Sequence, residues 1–148
     1  MDLDKLGEWS AKWQLRFNED KCKVMHLGKV NGNLNYNMQT RRGSTYLLQE
    51  SCVEKDLGIW IDRALKFSEH VAHAASKANQ ILGLIRRSFT YIDMPLMKQL
   101  YTSLVRPHLE YCNVVWHPFL KKDTELLESV QHRVTRTIPA LKNLTYED

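Results

Sequence analysis

The apolar rhythm of the chain shifts to a sustained helical period after residue 62, and that shift limits what it can fold into. Up to about residue 62, hydrophobic residues come mostly in short runs broken by turn residues; from Ser68 onward they recur every three or four positions. Short runs of period two build strands, and a sustained period near 3.6 builds helices that bury one face. The pattern predicts an α+β chain, an N-terminal helix plus a small antiparallel sheet followed by a three-helix bundle, divided as residues 1–62 and 63–148.

Within the first part, Leu3, Leu6, Trp9, Trp13 and Phe17 predict a helix over 3–17, with Asp2 and Asp4 where its dipole favours negative charge. A short apolar run at 22–27 closes at Gly28, and Asn31-Gly32-Asn33 reads as a turn. Leu34, Tyr36 and Met38 alternate along 34–39, and Thr40–Ser44, with Arg41, Arg42 and Gly43, reads as a second turn. Further strands are predicted at 45–49 and 57–61, giving a small antiparallel sheet packed under the first helix.

The second part predicts a three-helix bundle. The first helix starts at Ser68 as N-cap and carries Val71, Ala74, Ala78, Ile81, Ile85 and Phe89 inward, with Ala74, Ala75 and Ala78 small enough for close helix approach. The second starts near Asp93 and Pro95 and runs to Trp116, with a kink at Pro107, which lacks an N–H. The third starts near Asp123 or Thr124 and turns Leu127, Val130, Val134 and Ile138 inward. There is no internal repeat and no low-complexity segment.

A chain of 148 residues, 43% hydrophobic and 26% charged, has the composition of a soluble globular protein. Its longest aliphatic run, Ile81 to Ile85, is too short to span a bilayer, and the N-terminus lacks the basic-then-apolar form of a secretory signal. No membrane partner and an intracellular location, nuclear or cytoplasmic, are expected. Cys22, Cys52 and Cys112 form no CxxC pair, so neither a disulfide framework nor a zinc ribbon is indicated. Residues 1–62 are electrically balanced, and the whole net charge of +4 lies in residues 63–148. A basic half suits a polyanionic partner, although a solvated helical surface has the same composition.

Candidate chemistry is sparse. His70 and His73 lie one helical turn apart, and His108, Cys112 and His117 cluster near Pro107, but neither group supplies a full metal-ligand set. HExxH, GxSxG, Walker A and GxGxxG motifs are absent. Two-metal nucleotidyl transfer needs clustered carboxylates, and no two of Asp2, Asp4, Asp20, Asp56, Asp62, Asp93, Asp123 and Asp148 are adjacent. The remaining signal is basic: Lys121, Lys122, Arg133 and Arg136 around the third helix, Arg86 and Arg87 ending the first, and Lys77 within it. Helix capping and phosphate contact predict the same residues here.

Five segments in order, "LDKLGEWSAKWQLRFNEDKCKVMHLG", "EKDLGIWID", "LKFSEHVAHAASKANQILGLIRRSF", "LYTSLVRPHLEYCNVVWHP" and "LESVQHRVTRTIP", resemble the reverse transcriptases of LINE-type, non-LTR retrotransposons of the jockey and chicken-repeat kind. The resemblance implies that residues 3–28 are the helix-then-strand of motif D, with Asn18 and Lys21 at its characteristic positions and Lys21 in the place of a general acid toward the leaving pyrophosphate. It implies that "DLGIWID" is the primer grip, with Leu57, Gly58 and Ile59 at its hairpin and Leu57, Ile59 and Ile61 pointing into the fold. Residues 68–140 then resemble the thumb, which holds a template–primer duplex, an RNA–DNA hybrid or DNA, by its phosphates. Lys77, Arg86, Arg87, Lys121, Lys122, Arg133 and Arg136 are the expected contacts.

The family's endonuclease, fingers and aspartate-bearing palm precede these segments and have no counterpart here, and the chain stops at Leu144–Asp148 where the family continues. The expectation is a fragment without catalysis of its own: the ancestral enzyme needs Mg²⁺, whose ligands are missing, so no cofactor is expected. Lys21 is then vestigial. A retained nucleic-acid-binding or protein-interaction module, or a translated relic without selected function, is the alternative. A helix stripe cut from its partner sheet is also expected to leave part of the face carrying Trp9, Trp13 and Phe17 exposed and the chain prone to self-association.

Overall fold

The computed structural model describes residues 2–28, 32, 34–39 and 43–138. The chain is mixed α+β, and it divides into two compact units: Met1–Glu54 with Asp62–Leu65, and Lys55–Ile61 with Lys66–Asp148. The predicted turns at Asn31-Gly32-Asn33 and at Thr40–Ser44 fall largely outside the described residues, as does everything from residue 139 on.

In the first unit, α1 (Asp2–Trp13) is shorter than the apolar stripe suggests. It ends because Gln14 takes a left-handed φ of 57° and the Ser10 hydroxyl donates to the Leu15 carbonyl at 2.6 Å. Phe17 therefore lies beyond the helix, half-buried, while Trp9 and Trp13 are 47% and 60% exposed. Next, Asn18 caps a single 3-10 turn, Glu19–Lys21, its side chain accepting the Asp20 N–H at 3.1 Å.

The strands of this unit do not form the expected single antiparallel sheet. β1 (Lys23–Val24) pairs in parallel with β4 (Gln49–Glu50), and β2 (Asn37–Gln39) pairs antiparallel with β3 (Thr45–Leu47). α1 packs on β2, whose Met38 is buried. The strands are two and three residues long, too short for alternation to fix a shared register. Lys23 Nζ meets Glu54 Oε1 at 2.7 Å, and that bond holds the Glu54 carboxyl below its usual range. Arg63 meets Glu50 at 3.1 Å and donates through Nε to the His26 carbonyl at 3.2 Å.

The predicted strand at 57–61 is one arm of a hairpin, β5 (Val53–Asp56) and β6 (Ile59–Asp62), with Leu57 and Gly58 as its two-residue turn. Both turn residues have positive φ, 45° and 90°, as the right-handed strand twist demands of the tightest hairpins.

The helical unit contains α2 (Ser68–Ser88), α3 (Met94–Leu100), α4 (Arg106–Glu110), α5 (Asn113–Trp116) and α6 (Lys121–Thr135). Ser68 is the first helical residue rather than the cap; Phe67, left-handed at φ 59°, precedes it, and the Ser68 hydroxyl donates instead to Asp123 at 2.6 Å. Asp93 caps α3 as expected, accepting the Leu96 N–H at 2.9 Å, with Pro95 in the first turn.

Pro107 does not stop the helix that follows. Between α3 and α4, Tyr101–Val105 form a π-helical turn in which the Arg106 N–H reaches Tyr101 O. One extra residue in the turn relieves the clash that the proline ring makes with the carbonyl four residues back. The helix breaks later than Pro107 but before Trp116, at Cys112, where φ is 52°. Phe89 has left the α2 stripe and lies exposed at its C-cap.

The core gathers Ala75, Ala78, Leu82 and Ile85 of α2 with Met97, Val105, Leu109, Val130, Val134 and Ile138. Two side-chain bonds join α2 to α6, Ser68 to Asp123 and Arg133 to Asn79 at 3.1 Å, and a third, Arg86 to Thr137 just past the end of α6 at 3.0 Å, continues in step. Both partners advance together, so the two helices run parallel. Ala78 is fully buried among the side chains of this core. Ala78→Leu is therefore expected to destabilise the helical unit by about 1–3 kcal/mol through overpacking, read as a lower urea midpoint with an unchanged slope.

Candidate nucleic-acid interface

The hairpin tip and its support belong to the helical unit and follow from a few residues. Ile59 is buried with Val71 and Trp116, with Phe67, Ile61 and Leu127 packed around them. The Trp60 N–H donates to His70 Nδ1 at 3.4 Å, and the Trp60 ring stacks on His73 at 4.7 Å with an interplanar angle of 13°. At the tip, Tyr111 Oη donates to the Leu57 carbonyl at 3.1 Å. A Cβ on Gly58 would lie 3.4 Å from the Tyr111 ring, an ordinary contact, so it is the φ of 90° rather than lack of space that favours glycine here.

Leu57 departs from expectation. It points out of the fold, 84% exposed, in a left-handed conformation that asparagine or glycine adopts more easily. The turn adopted here has positive φ at both positions, and the Leu57 side chain is exposed at its tip. Ile59 and Ile61 do pack inward. A bulky apolar residue offered to solvent at a strained turn breaks the local rule, and such breaks gather at functional positions.

The basic residues form two groups. Arg86 and Arg87 end α2, and Arg133 and Arg136 end α6; because the helices are parallel, all four stand at one end of the bundle, exposed. Arg86 and Arg133 are fixed by their bonds to Thr137 and Asn79. Lys77 is exposed farther back on α2. Lys121 and Lys122 occupy the first turn of α6, where the dipole disfavours cations, about 18 Å along the axis from Arg133 at 1.5 Å per residue. The seven residues therefore make one arginine end and one lysine end. In the other unit, Lys21 is exposed at the end of its 3-10 turn, and Asn18 serves that turn as cap.

His70 and His73 do not converge on a common ligand position: His70 is buried against Trp116, and His73 pairs with Glu69 at 3.3 Å. Among the described residues, no three of His, Cys, Asp and Glu come together to hold a metal, and no helix is long and apolar enough to cross a membrane. Sequence reading missed Tyr111 and Trp116 as supports of the hairpin. Their only signal was a pair of aromatic residues flanking a helix break that Pro107 drew away from its true position.

The tip chemistry can be checked by two substitutions with opposite signs. Leu57→Asn, which suits the left-handed turn, is expected to stabilise by about 0.5–1 kcal/mol. Gly58→Ala is expected to destabilise by about 1–2 kcal/mol, since it adds strain at φ 90°. Chemical denaturation measures both.

No protein-family model matches the chain, and no solved structure matches it. It is similar to Uncharacterized protein B0403.1 of Caenorhabditis elegans, with 28% identity over 96 residues, covering 63% of this chain and 48% of that protein. The chain thus spans about half the length of the curated relative it matches.

Proposed function

We propose that this chain is the palm end and thumb of a LINE-type reverse transcriptase, and that its helical unit holds nucleic-acid duplexes by their phosphates without catalysis of its own. The observation that carries the reading is the arginine end of the parallel α2–α6 pair. Two helix C-termini present about one negative charge between them, whereas Arg86, Arg87, Arg133 and Arg136 bring four positive charges. Capping accounts for about one of the four, and the surplus suits a polyanion. The exposed tip at Leu57 on a tight hairpin, next in sequence to the basic helices, supports the primer-grip resemblance.

Such contacts position a duplex without reading its bases. Binding is expected to be weak, indifferent to sequence and steeply salt-dependent, with a log–log slope near −3 to −5 if about three to five phosphates are neutralised. Arg87→Ala and Arg136→Ala, which break no bond between the helices, are each expected to flatten the slope by up to about one unit. An RNA–DNA hybrid is expected to bind at least as well as DNA. Fluorescence anisotropy at several salt concentrations measures this; a slope unmoved by both changes moves the phosphate surface elsewhere, and no binding at low salt defeats the reading in favour of a protein-interaction role.

Primer extension with Mg²⁺ or Mn²⁺ and nucleotides is expected to stay at the level of a heat-killed control, because the clustered carboxylates of two-metal transfer are not in this sequence. Template-dependent extension that disappears in Lys21→Ala would reverse that expectation.

A further inference from the structure

His70 is the third residue of α2 and is 6% exposed. Its Nδ1 accepts the backbone N–H of Trp60 on β6. An imidazole nitrogen can accept only when it carries no proton, so this bond fixes the neutral ring with its proton on Nε2. Nε2 is itself buried without a hydrogen-bond partner, and the ring stands edge-on to Trp116 with centroids 4.6 Å apart. Ile59, Val71 and Trp116 are buried in the same cluster. The surroundings fit an uncharged imidazole and offer little to a cation.

We propose that His70 is a proton-operated latch: neutral, it holds β6 against the start of α2, and protonated, it releases the strand and with it the hairpin tip. A proton taken from solvent onto Nδ1 occupies the lone pair that the Trp60 N–H uses. Two N–H groups then face each other, and a charge is left among apolar side chains. This inference is independent of nucleic-acid binding.

The neighbouring charges divide. His73, one turn along α2, and Lys55, whose Nζ lies 5.7 Å from the Trp60 ring on the hairpin, oppose a second positive charge. Glu69 would favour it but is paired with His73, and Asp123 of α6 is bound to Ser68. His117 follows Trp116 in sequence, and Cys112 and Tyr111 precede it at the helix break. Burial first, and His73 second, hold the His70 pKa below the usual histidine range. A depressed folded-state pKa means that the unfolded or released form binds the proton first. The latch is therefore intact above the usual histidine range and weakens as pH falls below it, by at most about tenfold per pH unit.

The test is amide hydrogen exchange and imidazole NMR on the full chain from pH 8 to 4.5, with exchange expressed as protection relative to the intrinsic rate. At pH 8, His70 is expected to show the Nε2–H tautomer and the Trp60 amide to be protected. Below the usual histidine range, Trp60 protection is expected to fall by up to about tenfold per pH unit while Val130, in the bundle core, stays protected. His70→Gln supplies an acceptor that does not titrate and is expected to make Trp60 protection flat with pH. His70→Phe is expected to leave Trp60 unprotected throughout, and if it does not fold, His70→Gln alone decides. Three results overturn the latch: an unchanged pH profile in His70→Gln, protonation of His70 with Trp60 still protected, or loss of protection at Val130 in parallel with Trp60.

Discussion

The packing of α2 alongside α6, both running the same way, is the constraint on which the helical unit depends. Helices joined by short loops pack antiparallel; these two are separated by α3, the π-helical turn, α4 and α5, which carry the chain back to its starting end. Ala75 and Ala78 bring the helices close, and the bond from Ser68 to the buried Asp123 aligns their first turns. Asp123 thereby lies near two helix N-termini, where the dipoles favour its charge over the lysines beside it. The hairpin is supported at that same end of α2, through Val71 and His70.

One electrostatic asymmetry follows from parallel packing. Antiparallel neighbours cancel each other's dipoles end for end, whereas parallel neighbours add them. The C-terminal ends of α2 and α6 therefore call for cations, and the sequence supplies more than the dipoles require. The same geometry separates Lys121 and Lys122 from the arginines, although in sequence Lys121, Lys122, Arg133 and Arg136 are grouped around one helix.

Much of this was legible in the sequence because it rests on local rules. The α3 start at Asp93 and Pro95, the buried alanines, and the inward row Val130, Val134 and Ile138 follow from capping chemistry and period. The misreadings have local or long-range causes. The apolar stripe over Leu3–Phe17 could not reveal that Gln14 turns left-handed, because nothing at position 14 is glycine. The parallel pairing of Lys23 with Gln49 joins residues far apart, and strands of two residues carry too little alternation to declare it. Ser68 had the chemistry of a cap, but Asp123, distant in sequence, claimed its hydroxyl. At the candidate site, the glycine at 58 announced a turn, while a leucine at 57 gave no sign of its positive φ or its exposure.

The π-helical turn ahead of Pro107 also acts on the phase of the helix. Inserting one residue into a helix rotates everything after it by about 100° relative to what came before. Met97 lies before the insertion, and Val105 and Leu109 at and beyond it; all three nevertheless reach the same core. The turn is thus a phase correction that lets two differently registered apolar rows share one partner surface. Losing one residue between Tyr101 and Val105 would present α4 on a different side and restore the clash at Pro107. The length of this segment, more than its composition, fixes which side chains face the bundle.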